Sequence, residues 1–146
     1  MTGTTRAMLE LERRYADEIV AHALEEYPNE CCGILAGQDG RVTRLYRMTN
    51  TEHSPYRYSM DPKELLHVNR EIDDSRWELL AIYHSHTHTE AYPSATDVRM
   101  ATWPDGTSIW PEAYYILVSL MDKSSPAIRA FRIKDGTISE EDLRIV

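Results

Sequence analysis

The sequence predicts one α/β domain in which helices cover the faces of a mixed β-sheet. Two segments repeat apolar residues at spacings of three and four, which is typical of helices, and other segments are short apolar runs bounded by turns. The 146 residues are 42% hydrophobic and 27% charged, as in ordinary soluble domains. We therefore expect residues 1–146 to form a single domain with a loose lead-in over residues 1–12.

The first part of the chain predicts a helix followed by a β-hairpin. Residues 15–27 carry apolar side chains on one helical face, and Pro28 ends the helix. Residues 30–37 form an apolar run, and residues 41–48 alternate between apolar and polar side chains. The turn residues at 38–40 separate these two segments, so we expect them to pair as strands.

A polar loop and a second helix come next. Residues 49–58 are polar, and we expect a short strand over 56–60. Asp61 is suited to cap a helix and Pro62 to occupy its first position, which predicts a helix that continues to about Arg76.

The second half of the chain predicts the centre of the sheet. Residues 79–83 are a nearly continuous apolar run, which is typical of a strand covered on both faces, and His84 follows directly. The remaining predicted elements are a helix over 94–102, a loop over 103–112, strands over 114–120 and 127–133, and a short final element after the turn at 135–136.

Charge and composition exclude several classes of function. The net charge of -8 argues against nucleic acid as a partner, because phosphate binding needs clustered Lys and Arg. No apolar run approaches the ~18 residues of a membrane span. The first 12 residues have no apolar signal-peptide core, so we expect a cytoplasmic protein.

The two cysteines are Cys31 and Cys32, and neighbours in sequence rarely form a disulfide. We expect one thiol to be buried and the other half-exposed, because successive side chains of a strand point to opposite faces. This interpretation is favoured over a catalytic cysteine.

Residues suited to bind a metal concentrate after the central strand. His84 and His86 are two positions apart, so they share one face of an extended strand, and the carboxyl end of a central strand is a common ligand site. Two imidazoles can occupy two corners of a zinc tetrahedron. Either His88 or Asp97 could supply the third protein ligand, and the spacing leaves both possibilities open.

Asp97 has a competing interpretation. Ser94 and Asp97 have the spacing of a helix capping box, in which the carboxylate accepts a hydrogen bond from the backbone of the first residue. We expect this role to compete with metal binding, since one carboxylate would have to serve both. The hydroxyl of Ser94 could cap the helix in either case.

A zinc hydrolase also needs a general base. Glu30 is the best candidate, because it precedes an apolar strand where partial burial would raise its pKa. A solvated Glu30 just after the first helix is the simpler alternative. Glu90 lies in the loop between His86 and Ser94 and is a second candidate for the base.

Five of these side chains, with their spacing, resemble the signature of the JAMM (MPN-plus) metalloproteases. They are Glu30, His84, His86, Ser94 and Asp97. The resemblance implies a cytidine-deaminase-like α/β fold with one zinc ion held by the two histidines and the aspartate. It also implies that Glu30 is the general acid/base and that Ser94 donates a hydrogen bond to the oxyanion.

The segment after the second histidine resembles a small bacterial branch of that family. Many members have Pro after this histidine, whereas here Thr87 follows and Pro93 immediately precedes Ser94. This resemblance implies an enzyme that acts on ubiquitin-like sulfur-carrier proteins, including removal of cysteine from a carrier's C-terminus. His88 has no counterpart in the family pattern, so we expect it to face solvent or to support the site.

A substrate of this kind would present an extended tail with C-terminal glycines. A strand edge could hold the tail by backbone hydrogen bonds, and the loops at 49–58 and 103–112 could wall the site. Trp103 and Trp110 either pack the second loop on the sheet or anchor a partner, and exposed tryptophans would permit a homodimer.

Two other functions are less consistent with the sequence than a hydrolase. A scaffold that has lost catalysis would usually lack some of the metal residues, and all five signature residues are present. A zinc deaminase would use a His-x-Glu and a Pro-Cys-x-x-Cys motif, and the sequence has neither. His22 carries no such pattern and is expected on the surface of the first helix.

Overall fold

A mixed sheet of eight strands runs through residues 8–146, the part of the chain that the computed structural model describes. The elements, in chain order, are β1 (Leu9–Leu11), α1 (Arg13–Glu26), β2 (Cys32–Gln38), β3 (Arg41–Met48), α2 (Pro62–Asp74), β4 (Glu78–His86), α3 (Ala95–Met100), β5 (Tyr114–Ser119), β6 (Ala127–Lys134), β7 (Thr137–Glu141) and β8 (Leu143–Ile145). The predicted mixed α/β architecture is confirmed.

Strand β4 lies near the middle of the sheet, whose order is β7-β6-β5-β4-β2-β3-β1-β8. It pairs antiparallel with β2, where Cys32 lies opposite His84, and parallel with β5, where His86 lies opposite Ser119. Both neighbours therefore hold the end of β4 that carries the two histidines.

Apolar side chains cover both faces of the sheet. One face packs against α1, which buries Tyr15, Ile19 and Ala23. The other packs against α2, where Val68 and Ile72 are buried. The predicted covering of β4 on both sides is confirmed, and it places the end of this strand in a dry environment.

The predicted start of α2 is also confirmed. The side chain of Asp61 accepts hydrogen bonds from the backbone N–H groups of Lys63, at 2.8 Å, and Glu64, at 3.4 Å, and Pro62 is the first helical residue. These contacts satisfy two of the backbone donors that a helix start leaves open.

Two predictions about irregular segments are wrong. The expected loose lead-in contains β1, which pairs with β3 and β8, whereas residues 1–7 lie outside the described part. The segment 56–60 makes one isolated bridge, between Asn50 and Met60, instead of a strand. The short final element expected after the turn at 135–136 is present as β7, and the strand β8 follows it. Pairing with distant segments makes β1 a strand, whereas the 56–60 segment has no continuous strand partner among the described residues.

Burial of the side chains near β4 also differs from expectation. Cys31 and Cys32 point to opposite faces as predicted, but both are buried because both faces are covered, and burial raises the pKa of the Cys31 thiol to about 12. His22 is buried rather than exposed, and its Nδ1 lies 2.7 Å from the hydroxyl of Tyr83. No helix of the described chain has the length and apolar character to cross a membrane.

Candidate metal centre

Three buried side chains converge where β4 ends and α3 begins. The Nε2 atoms of His84 and His86 lie 3.1 Å and 3.0 Å from Oδ2 of Asp97. Each of the three residues is at most 7% exposed, and one potential ligand atom from each lies within 4.8 Å of the others. The strand spacing and the helix start therefore bring two imidazoles and a carboxylate to a single point.

Asp97 takes part in a capping box and reaches this point as well. Its Oδ2 accepts a hydrogen bond from the backbone N–H of Ser94 at 2.9 Å, and its own N–H donates to the Ser94 hydroxyl at 3.0 Å. Capping does not turn the carboxylate away from the imidazoles, and a carboxylate offers about four lone-pair sites, so one group can make both kinds of contact. The capping box fixes the carboxylate in the orientation that faces the imidazoles.

His86 is oriented by a hydrogen bond on the side of its ring away from Asp97. Its Nδ1 donates to the carbonyl oxygen of Glu90 at 2.8 Å. A carbonyl can only accept, so the proton of the neutral ring resides on Nδ1 and Nε2 presents a lone pair. This is the usual arrangement of a histidine that binds a metal.

His84 provides the test of whether a cation fits this centre. Both of its ring nitrogens are buried without a hydrogen-bond partner among the described residues, although Nε2 is close to Asp97. A buried polar atom without a partner is costly. Two imidazoles and a carboxylate are a donor set that zinc accepts, and a cation held among them would satisfy the Nε2 lone pair.

The ionisable groups of the centre shift one another's pKa values. Burial would raise the pKa of the Asp97 carboxyl, but His84, His86 and the Ser94 N–H together hold it well below its usual range. Burial would lower the pKa of His86, whereas Asp97 and the Glu90 carbonyl raise it. The negative Asp97 carboxylate thus favours positive charge close to the two imidazoles.

Glu30 lies beside this centre and is 3% exposed, so the solvated alternative is wrong. Burial raises the pKa of its carboxyl to about 8, and Oε1 has no hydrogen-bond partner among the described residues. Its backbone is held by two contacts: the N–H donates to the Ser54 carbonyl at 2.9 Å, and the carbonyl accepts from Asn50 at 3.0 Å. Glu90, the other candidate base, has an exposed side chain.

A cavity of about 220 Å³ connects Glu30 to the metal centre. Its other lining residues are Pro55, Tyr56, His86, Thr87, His88, Thr89, Ser94 and Thr96. The exposed Ser94 hydroxyl accepts from the Asp97 N–H and keeps its own hydrogen for donation. The cavity therefore brings together a carboxyl group, an imidazole of the centre and a hydroxyl donor.

His88 does not belong to the group that converges on one point. Strand β4 ends at His86, so His88 no longer follows the strand's alternation. Its side chain is exposed and makes an edge-to-face contact with Tyr27 at 5.8 Å between ring centroids. The geometry favours Asp97 over His88 as the third ligand.

The two tryptophans of the 103–112 loop behave differently from each other. Trp110 is partly buried and packs on the sheet, whereas Trp103 is 54% exposed. Both line an apolar groove of about 440 Å³, together with Tyr58, Ser59, Met60, Leu65, Ile82, Met100, Ile109 and Tyr115. This loop therefore walls the groove next to the metal centre, whereas the 49–58 loop, through Pro55 and Tyr56, walls the cavity around Glu30.

Sequence reasoning did not single out Asn50 or Tyr58 for the site. Asn50 is 5% exposed and ties four backbone groups of the 49–58 loop and its surroundings. The Tyr58 ring stacks on the ring of His84. Neither residue has a spacing relation to the histidines, so only the folded loop reveals these contacts.

Comparison with known proteins places the chain in a family. Residues 12–134 match the family model described as prokaryotic homologs of the JAB domain. The chain belongs to this JAB-domain family. The predicted resemblance to JAMM (MPN-plus) proteins is thereby confirmed.

Named relatives of this JAB domain include two peptidases. It is 46% identical over 130 residues to the CysO-cysteine peptidase of Mycobacterium tuberculosis, and this alignment covers 88% of this chain and 84% of the relative. It is 36% identical over 107 residues to the desampylase of Haloferax volcanii, over 68% of this chain and 77% of the relative.

Solved structures share the fold of this JAB domain. A protein from Desulfitobacterium hafniense has a TM-score of 0.81 at 35% identity, covering 95% of this chain and 93% of the other. A JAB1/MPN domain protein from Archaeoglobus fulgidus has a TM-score of 0.61 at 18% identity, covering 97% of this chain and 100% of the other. The predicted fold class, a mixed sheet flanked by helices, is confirmed.

Proposed function

We propose that this JAB domain is a zinc-dependent peptidase that cleaves the bond after the C-terminal glycines of a ubiquitin-like or sulfur-carrier protein. The observation that carries the proposal is the convergence of His84, His86 and Asp97 beside the buried carboxyl group of Glu30. A ligand set and an unpartnered carboxyl group that open into one cavity are the elements that metal-assisted hydrolysis needs.

In this proposal His84, His86 and Asp97 hold one zinc ion. Three protein ligands leave a fourth position open, as in catalytic rather than structural zinc sites. When bound, zinc supplies a Lewis acid that polarises the scissile carbonyl and lowers the pKa of water to about 7.

Glu30 is proposed as the general acid/base. Its side chain lies in the same cavity as His86 and Ser94, and its Oε1 makes no hydrogen bond within the described residues, so it is free to accept one. Burial raises its pKa, which increases its affinity for a proton. The carboxylate would take a proton from the attacking water and deliver it to the leaving amine.

Ser94 is proposed to stabilise the negative oxygen that develops on the scissile carbonyl. Its hydroxyl oxygen accepts from the Asp97 N–H, which leaves the hydroxyl hydrogen available for donation, and Ser94 lines the cavity. A donor of this kind is typically worth about 2.7–4 kcal/mol in the transition state. The capping box fixes Ser94 and Asp97 together, so the donor and one ligand keep a constant separation.

The substrate class is supported by the relatives and by the size of the cavity. The CysO-cysteine peptidase and the desampylase are both named for cleavage of carrier or conjugate bonds. The cavity around Glu30 has a volume of about 220 Å³, and glycine, which has no side chain, would take up the least of this space next to the scissile bond. Strand β4 is paired on both sides, and among the described residues the edge strands of the sheet are β7 and β8. The prediction that a strand edge holds the tail therefore needs revision. The tail would instead contact the loops beside the cavity.

The proposal extends to the setting of the enzyme. A cytoplasmic location fits two buried, reduced cysteines. A homodimer that uses the exposed Trp103 stays a prediction. The alternative function, a scaffold without catalysis, gains no support from a site in which all the signature residues converge.

The experiment uses purified protein loaded with one equivalent of zinc. Two substrates are compared: a sulfur carrier that bears cysteine on its C-terminal Gly-Gly, and the same carrier joined to a lysine side chain. We expect release of the carrier to depend on zinc, and mass spectrometry measures this release. Failure of the zinc-loaded protein on both substrates would contradict the proposal, and the ratio of the two rates measures the preference for the leaving group.

A further inference from the structure

The two imidazoles of the metal centre are oriented in different ways. The ring of His86 is fixed by the hydrogen bond from its Nδ1 to the Glu90 carbonyl. Neither ring nitrogen of His84 has a hydrogen-bond partner among the described residues. The Nε2 edge of the ring faces Oδ2 of Asp97 at 3.1 Å. No hydrogen bond to Nδ1 fixes the plane of the His84 ring as one does in His86, so a different contact must set that plane.

That contact is the ring of Tyr58. The two rings are stacked, with centroids 4.6 Å apart and planes inclined by 28°. His84 is 1% exposed, so its ring is enclosed on its remaining sides. A flat neighbour at this distance restricts rotation out of the ring plane and leaves the nitrogen atoms at the ring edge uncovered.

The backbone around Tyr58 is itself held firmly. Asn50 donates to the carbonyl of Arg57 at 3.1 Å and accepts from the N–H of Ser59 at 3.1 Å, so it holds the residue on each side of Tyr58. It also donates to the carbonyl of Glu30 at 3.0 Å. One buried amide thus links the stacked ring to the backbone of the proposed base.

We propose that Tyr58 is a positioning residue for the metal centre: its ring takes the place of the missing hydrogen bond and holds His84 ready to bind the cation. The inference rests on the metal site of the proposed function. The ring rather than the hydroxyl carries the effect, because the contact is made through the faces of the two rings. Asn50 supports it by fixing the loop.

The test measures zinc affinity of the purified protein by competition with a chromogenic chelator. Tyr58→Phe keeps the ring, Tyr58→Leu removes it, and Leu65→Ala removes a side chain that lines the same apolar groove from α2. Loss of a group that orients a ligand typically weakens metal binding by about 10–100-fold, so we expect a loss of about 10-fold for Tyr58→Leu. Tyr58→Phe and Leu65→Ala should stay within about 2-fold of the unaltered protein.

Two further measurements separate positioning from general stability. Thermal unfolding of the zinc-free proteins should show that Leu65→Ala and Tyr58→Leu are both less stable, whereas only Tyr58→Leu loses zinc affinity. The visible absorption of the cobalt-substituted protein should change for Tyr58→Leu and not for Tyr58→Phe, because the spectrum reports ligand geometry. If Tyr58→Leu does not fold, Asn50→Ala is the second variant, and it should weaken zinc binding while the ring is retained.

The outcomes are distinct for the inference and for the function on which it rests. Zinc binding by Tyr58→Leu that equals that of the unaltered protein overturns the inference alone. An equal loss for Tyr58→Phe and Tyr58→Leu also overturns it, because the hydroxyl would then carry the effect. An unaltered protein that binds no zinc overturns the proposed function as well.

Discussion

Replacement of Glu30 by Gln gives the sharpest separation of chemistry from structure in this molecule. Glutamine has nearly the same shape, so the cavity and the three proposed ligands should be retained, whereas the proton acceptor is lost. General acid–base catalysis typically contributes about 10²–10⁴-fold. We therefore expect kcat on the carrier–cysteine substrate to fall by that factor, with one zinc ion still bound per chain.

The same substitution has a predicted effect on the stability of the zinc-free protein. Burial raises the pKa of Glu30 from its ordinary value of 4.5 to about 8. Between these two pH values the folded chain holds a proton on Glu30 that the unfolded chain has released. The free energy of unfolding should therefore decrease as the pH rises through this window, by at most about 1.4 kcal/mol per pH unit.

The assay is urea unfolding of the zinc-free unaltered protein and of Glu30→Gln at several pH values from 4.5 to 8. The stabilising contribution of the neutral Glu30 is fully present below the lower pH and is lost toward the upper one. Glutamine does not titrate, so the difference in unfolding free energy between the two proteins should change steadily across the window. Parallel stability curves would refute the burial argument, and full activity of zinc-loaded Glu30→Gln would refute the mechanism.

Substitutions at three further positions test the rest of the site and the sheet beneath it. Ser94→Ala should lower kcat by about 10²–10³-fold and destabilise α3 by about 1 kcal/mol. Ser94→Thr keeps the hydroxyl, so it should retain much of the activity and much of the stability. Steady-state kinetics and urea unfolding measure the two effects. Asp97→Asn should weaken zinc binding at least about 10-fold by chelator competition. Because the pKa of Asp97 is held below its usual 3.8, the zinc-free unaltered protein should lose stability as the pH falls below that value, and Asp97→Asn should lose less. Gly33→Ala should destabilise the fold by about 1–3 kcal/mol in urea unfolding, because the new Cβ would lie 2.1 Å from the Tyr83 ring.

Local patterns in the chain were sufficient for the framework of the site. The i, i+2 spacing of His84 and His86 predicts a shared strand face, and the structure brings both rings to the same point. The residues at Asp61 and Ser94 predict helix starts, and both cap the helices that follow. These features depend on neighbours within a few residues, and short-range geometry is what a sequence pattern encodes.

Other features depend on contacts between distant segments. For these features the sequence pattern led to no prediction or to a wrong one. The burial of His22 depends on its contact with Tyr83, which lies 61 positions away. Strand β1 exists because it pairs with β3 and β8. A segment of three residues is too short to show a sequence pattern that predicts such pairing. The stack of Tyr58 on His84 likewise joins two segments with no common period.

By itself the sequence determined which residues can bind a metal, where the main helices and the central strands lie, and that two imidazoles share a face. Only the tertiary structure decided that Asp97 rather than His88 faces the imidazoles and that its carboxylate also caps α3. It also decided that Glu30 is buried next to the centre. The physical reason is that spacing along a chain sets the direction of a side chain, whereas burial and convergence depend on segments that meet only when the sheet and its loops have packed.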